Sequence, residues 1–347
     1  MRKVTWTGTG SVEFSDDGAG RPPLPDAQCV RLRVTVAGIC GTDLHIVDGR
    51  LRFIDPPAVL GHEIAGVVEE CGAEVRRVRP GDRVKCDSVV GCGRCAWCLQ
   101  GATQFCPDGW EFGITRAGGW AEWLVAPERN LHPLPDEIPD DVGAILDVEV
   151  FGALRRPGIR PGETVVILGP GPAGLVALQL ARLWGAGTVI LCGTRPERLA
   201  LGARLGADHI VNVNEEPAVP AVLALTGGAG ADLAFEAAGS PRAVHDAIEA
   251  LRPQGRAVFY GVHGRPMPEF PIDRAVLKDL TIYGALANRT GWEEAISLVA
   301  SGGLDLASLI THAFPLERAA DAVAALSARE GGAVKGVLLV AAGRLSR

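Results

Sequence analysis

The stretch Leu168-Gly169-Pro170-Gly171-Pro172-Ala173-Gly174 constrains the fold of this chain more than any other. It follows the apolar run 164–168 and precedes an amphipathic run from Leu175 to Trp184. A strand, a turn of the form G-x-G-x-x-G and a helix, in that order, are typical of a dinucleotide-binding unit. A glycine triplet alone could equally be an ordinary strand-to-helix turn. The flanking segments favour nucleotide binding.

Each residue of the turn has a predicted role. Gly169 makes the tight turn, Gly171 lets backbone amides approach a pyrophosphate, and Gly174 lets the helix lie close to the strand. Pro172 and Ala173 lie between these glycines, and the N-terminus of the helix that follows offers free N–H groups and the positive end of the helix dipole. These residues are therefore predicted to bind the phosphates of the cofactor.

The pattern of the chain changes near residue 155. Before it, short strands separated by glycines and prolines predict a β-rich domain, in which Val30–Val36 alternates as a half-buried strand does. After it, strands alternate with helices, which predicts a parallel, doubly wound sheet. The predicted strands are 164–168, 188–192, 210–213, 233–236, 256–260 and 280–283, and the predicted helices include 197–205, 218–225 and 243–251. The last segment is predicted to form two helices and a final strand that return to the N-terminal domain.

Size, charge and cysteine content exclude several classes of protein. The chain has 347 residues, enough for about two domains. Its net charge is −7, whereas nucleic-acid-binding proteins typically carry a basic surface. We find no apolar run of about 18 residues and no signal peptide, so we expect neither a membrane span nor secretion. Nine cysteines, an odd number, are typical of reduced thiols and metal ligands. We expect a cytoplasmic protein.

Four cysteines form a cluster with metal-ligand spacing. Cys92, Cys95, Cys98 and Cys106 follow the pattern C-x2-C-x2-C-x7-C. Four thiolates leave no open position on zinc, so such a zinc is structural. An iron–sulfur cluster takes the same ligands, and a zinc-ribbon nucleic-acid module is a further alternative that the acidic balance disfavours. We predict a structural zinc.

A second cluster has a different composition. Cys40, in the segment C-G-T-D-L-H, and His62-Glu63 are separated in sequence and have carboxylates nearby. A set of this kind suits a zinc that keeps one position open for water or substrate. Taken alone, His62 could be a core histidine and Cys40 a small buried hydrophobe.

Together these motifs resemble those of the zinc-dependent medium-chain alcohol dehydrogenases, particularly the branch of sorbitol, threonine and polyol dehydrogenases. The resemblance covers the whole chain and rests on C-G-T-D-x-H at 40–45, G-H-E at 61–63, the four cysteines and G-P-G-P-A-G at 169–174. It implies a GroES-like catalytic domain at 1–152, a Rossmann domain at 153–286 and a return segment at 287–347 that completes the catalytic domain. It also implies an active site in the cleft and a homodimer or homotetramer.

The resemblance also implies roles for individual residues. Cys40 and His62 match ligands of a catalytic zinc, and Glu63 matches a carboxylate that coordinates the metal or lies behind it. Thr42 matches the hydroxyl that takes the alcohol proton, and His45 the imidazole that passes the proton to solvent. A zinc Lewis acid that polarises the substrate oxygen and a histidine that titrates near neutrality are consistent with those roles.

The chain departs from the family pattern at the remaining zinc ligand. The glutamate of that branch falls in the segment Leu146-Asp147-Val148-Glu149. We favour Asp147 as the ligand, with Glu149 as the alternative; either residue could instead cap a helix. Val89 stands where threonine dehydrogenases carry a histidine, which counts against threonine as the substrate.

A further departure concerns the cofactor. The NAD-dependent relatives end the second strand of the Rossmann sheet with an aspartate that binds the ribose hydroxyls. Here that place is Gly193, which would leave room for a 2′-phosphate. Arg195 and Arg198, which follow Thr194, could pair with the phosphate through their guanidinium groups. We predict NADP as the preferred cofactor, with NAD as the alternative.

The predicted activity is hydride transfer between NAD(P) and a secondary alcohol or its ketone, with a polyol, sugar or cyclitol favoured. The alternative is a nucleotide-binding sensor or scaffold of the same fold that has lost catalysis. The residues of the substrate pocket are not specified by the sequence. Aromatic side chains that could line a cleft or belong to the core are Trp97, Trp110, Phe112 and Trp120, and Asn288 and Arg289 could contact substrate.

Overall fold

In the computed structural model, residues 1–262, 267, 269–286 and 289–346 are described. The chain divides into two compact units. The first comprises residues 1–147, 292–302 and 306–347, and the second comprises 148–291 and 303–305. The first unit is thus built from both ends of the chain.

The segment up to residue 147 contains short strands and three short helices. Its strands are β1 (Arg2–Gly8), β2 (Ser11–Asp16), β3 (Cys29–Ile39), β4 (Ile64–Cys71), β5 (Arg83–Cys86), β6 (Val89–Val90), β7 (Trp110–Glu111), β8 (Trp123–Pro127) and β9 (Leu131–Pro133). Its helices are α1 (Gly41–Val47), α2 (Ala96–Leu99) and α3 (Asp140–Ile145). These elements agree with the β-rich domain that the sequence predicts for this segment.

The middle segment alternates strands and helices. Its strands are β10 (Thr164–Leu168), β11 (Thr188–Gly193), β12 (His209–Asn212), β13 (Ala231–Glu236), β14 (Leu251–Phe259) and β15 (Thr281–Gly284). Its helices are α4 (Glu149–Arg155), α5 (Pro172–Leu183), α6 (Pro196–Arg204), α7 (Ala218–Leu225), α8 (Pro241–Glu249) and α9 (Ile272–Leu277). The last segment adds α10 (Trp292–Ala300), β16 (Ile310–Pro315), α11 (Ala319–Ala328) and β17 (Lys335–Leu339).

The main sheet of the first unit has the strand order β16-β17-β3-β4-β5-β9, and β8 also pairs with β3. The final strand β17 pairs antiparallel with β3, with Val337 opposite Gly38. Nearly every residue of β3 is buried, so the strand is not half-exposed as its alternating pattern predicted. The reason is its position, because β4, β8 and β17 pair with its edges and α3 packs against it.

The second unit contains a six-stranded, all-parallel sheet with the order β12-β11-β10-β13-β14-β15. The order reverses between β10 and β13, which is where doubly wound sheets bind nucleotides. The apolar strand residues that sequence patterning predicted form its core, including Val166, Ile190 and Ala234. The predicted fold class is confirmed. None of the helices in the described part of the chain is long and apolar enough to cross a membrane.

One predicted boundary in this sheet is wrong. The pattern predicted a helix through Leu251 and a strand only from Arg256, whereas α8 ends at Glu249 and β14 begins at Leu251. Pro253 and Gly255 interrupt the apolar pattern, yet Leu251 pairs with Ala231 across a shift in register. Tertiary pairing therefore outweighs local propensity here.

Candidate metal centres and nucleotide turn

Cys40, His62 and Glu63 come together in the first unit. One ligand atom from each lies within 4.8 Å of the others. Glu63 is 7% exposed, and its Oε2 atom is buried without a hydrogen-bond partner among the described residues. A buried carboxylate oxygen, a thiol and an imidazole at this separation form a donor set that suits zinc.

Helix α1 positions two of these groups, Cys40 and His62, through its residue Asp43. Cys40 is the N-cap of α1, and its backbone N–H donates to Asp43 Oδ2 at 2.8 Å. The fully buried Asp43 also accepts from the Gly61 backbone N–H, and its Oδ1 lies 3.5 Å from His62 Nδ1. Since Nδ1 faces Asp43, Nε2 is the nitrogen that His62 can offer to a metal.

Glycines make space for this arrangement. Gly61 has φ of +91°, and a Cβ there would lie 2.2 Å from the buried Trp120 ring. A Cβ at Gly38 would lie 2.0 Å from Glu63 Oε2. Trp120 donates from its indole N–H to the Gly38 carbonyl at 3.3 Å. His62 and Glu63 are thus held by backbone conformations and contacts that glycine alone permits.

Lys335 of β17 completes the cluster from the other end of the chain. Its Nζ donates to Glu63 Oε1 at 2.7 Å, and both side chains are buried. Burial alone would lower the pKa of Lys335, but Glu63 and Cys40 outweigh it and raise that pKa. Lys335 therefore remains charged and holds one oxygen of Glu63.

The electrostatics of the cluster favour a cation. Burial would lower the pKa of His62, yet Asp43 and Cys40 raise it well above its ordinary value. With the Cys40 thiol ionised, as zinc requires, three anionic side chains face one lysine. The two positive charges of zinc would balance the net charge that remains. The residues present therefore fit a zinc ion.

Thr42 and His45 lie on the same helix as Cys40. Thr42 Oγ1 is 3.9 Å from Cys40 Sγ, so the hydroxyl lies beside a candidate zinc ligand. His45 is half-buried, and its Nδ1 atom has no hydrogen-bond partner among the described residues. Burial, followed by the charge of Arg50, lowers the pKa of His45. His45 is therefore a neutral imidazole at neutral pH.

The structure does not bring Asp147 or Glu149 into the cluster of Cys40, His62 and Glu63. Asp147 is half-buried and follows α3. Glu149 belongs to the second unit, where it accepts from the Tyr260 hydroxyl at 2.8 Å and pairs with Arg289 at 3.2 Å. Asp147 as a zinc ligand and Glu149 as the alternative both stay predictions.

The four cysteines form the second metal cluster. Sγ atoms of Cys92, Cys95, Cys98 and Cys106 lie within 4.8 Å of one another. Backbone N–H groups donate to three of these sulfurs, for example Cys95 N to Cys92 Sγ at 3.3 Å. The N–H groups of Arg94 and Cys95 lower the pKa of the Cys92 thiol to about 6. Burial raises the pKa of the Cys98 thiol to about 12, so the N–H donors favour the thiolate at Cys92 rather than across the whole cluster. Four sulfur atoms at this separation fit a structural metal.

The aromatic candidates divide into two groups. Trp120 and Phe112 are buried core residues, whereas Trp97 is 47% exposed and contacts Phe105 beside the four cysteines. Of the two residues considered for substrate contact, Arg289 pairs with Glu149. Asn288 lies outside the described residues.

The nucleotide turn has the predicted strand–turn–helix context. A Cβ at Gly174 would lie 1.9 Å from the Gly169 carbonyl oxygen, so glycine is needed for the close approach of α5 to the turn. A Cβ at Gly171, by contrast, would meet nothing within 4 Å. Gly171 is the N-cap of α5 and makes no side-chain cap, with Pro172 and Ala173 in the first turn. An open approach to a helix N-terminus fits a pyrophosphate.

The end of β11 holds the residues predicted to select the cofactor. Arg195 is the N-cap of α6, Arg198 lies in its first turn, and Thr194 is exposed. The space beside Gly193 is not empty, because a Cβ there would lie 2.4 Å from Pro170 Cδ. A proline ring fills the place that a Cβ at position 193 would take, and room for a 2′-phosphate beside Gly193 stays a prediction.

Known proteins match both parts of the chain. Residues 26–136 match the alcohol dehydrogenase GroES-like domain, and 172–301 match the zinc-binding dehydrogenase domain. The chain is 33% identical to sorbitol dehydrogenase of Bacillus subtilis over 87% of this chain and 88% of that protein. It is 36% identical to an L-threonine 3-dehydrogenase of Anaeromyxobacter dehalogenans over 85% of this chain and 87% of that one.

A solved structure shows the same fold. A zinc-binding dehydrogenase from Sinorhizobium meliloti, bound to NADP, superposes with a TM-score of 0.89 at 30% identity, covering 98% of this chain and 99% of that one. The chain belongs to the zinc-binding medium-chain alcohol dehydrogenase family. This dehydrogenase is thus an oxidoreductase that uses zinc and NAD(P) to act on small-molecule alcohols.

Two residues of the metal centre were missed by sequence reasoning. Asp43 stands within the quoted motif, and its position three residues after an N-cap is a signal for a capping box. Lys335 had no sequence signal, because it meets Glu63 across 272 residues of chain.

Replacing Cys40 by Ser should lower the zinc content of the dehydrogenase from two ions per chain to one and abolish turnover. The hydroxyl is a far weaker zinc ligand than a thiolate, whereas the four-cysteine cluster is untouched. Zinc is measured by metal analysis of the purified protein. Cys71→Ser, outside both clusters, is the control and should keep two ions. Full activity in Cys40→Ser would contradict the assigned catalytic centre.

Replacing Lys335 by Met should destabilise the zinc-free protein more than the zinc-loaded protein. Removing one member of a buried ion pair costs about 3–5 kcal/mol when the other charge stays unpaired. Bound zinc would compensate Glu63, so the loss should be smaller with metal present. Thermal unfolding with zinc and with a chelator measures the difference. Lys278→Met is the control, since Lys278 donates to carbonyls of the second unit; equal losses in both states of Lys335→Met would contradict the prediction.

Proposed function

We propose that this dehydrogenase interconverts a secondary alcohol, of the polyol, sugar or cyclitol class, with its ketone and prefers NADP. The observation that carries the proposal is the group of Cys40, His62 and the buried Glu63, with Thr42 and His45 on the helix that Cys40 caps. A sensor or scaffold without catalysis would not need this complete set. The sorbitol dehydrogenase relative supports the polyol class.

Cys40 and His62, with Asp147 or Glu63 as the carboxylate, would hold the catalytic zinc, which supplies a Lewis acid for the substrate oxygen. The Thr42 hydroxyl accepts the alcohol proton. His45 then passes that proton to solvent, and because burial lowers the pKa of His45, the protonated ring releases its proton readily. Gly169, Gly171 and Gly174, with the N-terminus of α5, would hold NAD(P), which would supply the hydride-transfer chemistry when bound.

The preference for NADP is supported by the charges at the end of β11. Position 193 carries no carboxylate that would repel a 2′-phosphate. Arg195 and Arg198 stand at the start of α6, whose N-terminal end adds a partial positive charge. The relative from Sinorhizobium meliloti is bound to NADP.

Val89, which is buried in β6, supplies no histidine for an amino-acid substrate such as threonine.

We further propose that two copies of the chain associate through β15 and work in the cytoplasm. Strand β15 ends the six-stranded sheet, and in the described part of the chain it pairs on one side only, with β14. Ile282 on this strand and Val276 and Leu277 on α9 are exposed by 39–78%. An exposed apolar edge strand is normally covered, and a two-fold axis would pair two β15 strands.

Initial rates with a panel of polyols and secondary alcohols should give a higher kcat/KM with NADP than with NAD. Arg195→Ala should raise the KM for NADP about tenfold or more, because a charge-assisted hydrogen bond contributes about 1.5–3 kcal/mol. The KM for NAD should not change. Arg204→Ala, on the exposed end of the same helix, is the control and should leave both constants unaltered. Equal effects of Arg195→Ala on NADP and NAD would argue against the proposed phosphate contact.

Replacing Ile282 by Lys should convert the assembly into smaller species. Two lysines brought together across a two-fold axis would repel each other and lose the apolar contact. Light scattering after size-exclusion chromatography gives the mass. Leu225→Lys, an exposed apolar position at the end of α7, serves as the control. An unchanged mass for Ile282→Lys would remove β15 from the interface.

A further inference from the structure

Pro170 of the nucleotide turn is buried against Gly193 at the end of β11. A Cβ at Gly193 would lie 2.4 Å from Cδ and 2.5 Å from Cγ of Pro170, and 3.2 Å from Cδ2 of Leu199. Carbon atoms in contact normally lie about 3.5–4.0 Å apart. The pyrrolidine ring therefore occupies the volume that any side chain at position 193 would need.

The two neighbours of this position differ in how far they can yield. Leu199 presents the end of a flexible side chain, whereas Cδ of Pro170 is bonded to its own backbone nitrogen and the ring fixes φ. A backbone hydrogen bond also ties the turn to β11, because the Gly169 N–H donates to the Cys192 carbonyl at 2.9 Å. Gly169 itself lies against the backbone of Ala237 and Ala238. A side chain at 193 could enter only if the whole glycine turn moved.

Position 193 is the strand end at which a dinucleotide-binding sheet places a carboxylate for the ribose hydroxyls of NAD. We infer that Pro170 determines cofactor preference without touching the ribose. It excludes that carboxylate from position 193, and so it leaves Arg195 without a neighbouring acid at this position. Pro170 is thus a positioning residue. The direction of its effect rests on the proposed NADP preference.

It follows that Gly193→Asp alone cannot create a site for NAD. The aspartate would displace the turn that binds the pyrophosphate, which both cofactors share. Replacing Pro170 by Ala removes Cγ and Cδ and frees the space, so Pro170→Ala combined with Gly193→Asp should restore the turn and add the carboxylate. Cofactor preference should therefore reverse only when both positions change.

The test is a double-mutant cycle on the purified, zinc-loaded enzyme. The variants are Pro170→Ala, Gly193→Ala, Gly193→Asp and the two double variants, and the readouts are Tm and the Kd of NADPH and NADH from nicotinamide fluorescence. We expect Gly193→Ala and Gly193→Asp each to lower Tm by several degrees and to weaken both cofactors on the order of tenfold. Pro170→Ala should recover most of the Tm and, with Gly193→Asp, shift the NADPH to NADH affinity ratio by about 100-fold toward NADH.

Gly171→Ala is the matched control, because a Cβ there meets nothing within 4 Å. It should weaken cofactor binding while leaving Tm unchanged, which separates occlusion of the cofactor site from a clash within the fold. The inference is overturned if Gly193→Asp keeps the wild-type Tm and switches preference to NADH by itself. It is also overturned if the losses at positions 170 and 193 are additive.

The same measurements separate this inference from the proposed function. A wild-type enzyme that binds NADH more tightly than NADPH would overturn the proposed cofactor preference. The cycle in Tm would still decide whether Pro170 excludes side chains from position 193, since it needs no cofactor.

Discussion

The candidate metal centre of this dehydrogenase depends on the buried ion pair between Glu63 and Lys335, which lie far apart in the chain. Cys40, Asp43 and His62 lie around this pair, and with the Cys40 thiol ionised and His62 neutral, as zinc binding requires, two negative charges remain. Burying charges without partners is costly, so the arrangement is stable when a cation supplies the remaining positive charge. Metal binding and the packing of this unit are therefore linked. Because Lys335 lies on β17, the linkage extends to the last strand of the chain.

Backbone geometry explains how such charges come together. Cys40 sits at the N-cap of α1, where Asp43 satisfies its N–H, and the same carboxylate reaches Gly61 and faces His62. One side chain thus fixes two separated segments. The glycines around them have no Cβ, so Trp120 and Glu63 approach more closely than other residues would allow. The precision of the donor set comes from these short contacts rather than from the ligands alone.

The local sequence pattern was enough to predict those parts of the molecule that are specified by residues close together in the chain. The turn at 169–174 lies between β10 and α5 as its sequence indicates, and the four cysteines meet because their spacing is short. Where distant segments decide the outcome, sequence alone fell short. Lys335 could be placed beside Glu63 only once β17 was paired with β3. Leu251 joins β14 because Ala231 is available to pair with it.

The same distinction applies to the cofactor site. In the sequence, Gly193 stands where NAD-dependent relatives have a carboxylate, and Pro170 lies within the glycine turn. In the structure, the Pro170 ring fills the space beside Gly193. A position at a strand end can thus be constrained by a turn residue through packing alone. Under the proposed preference for NADP, selection by the charge of Arg195 would depend on packing as much as on the charged residues themselves. Because the glycine turn and the end of β11 lie side by side, the residue at position 170 limits which residues can stand at position 193.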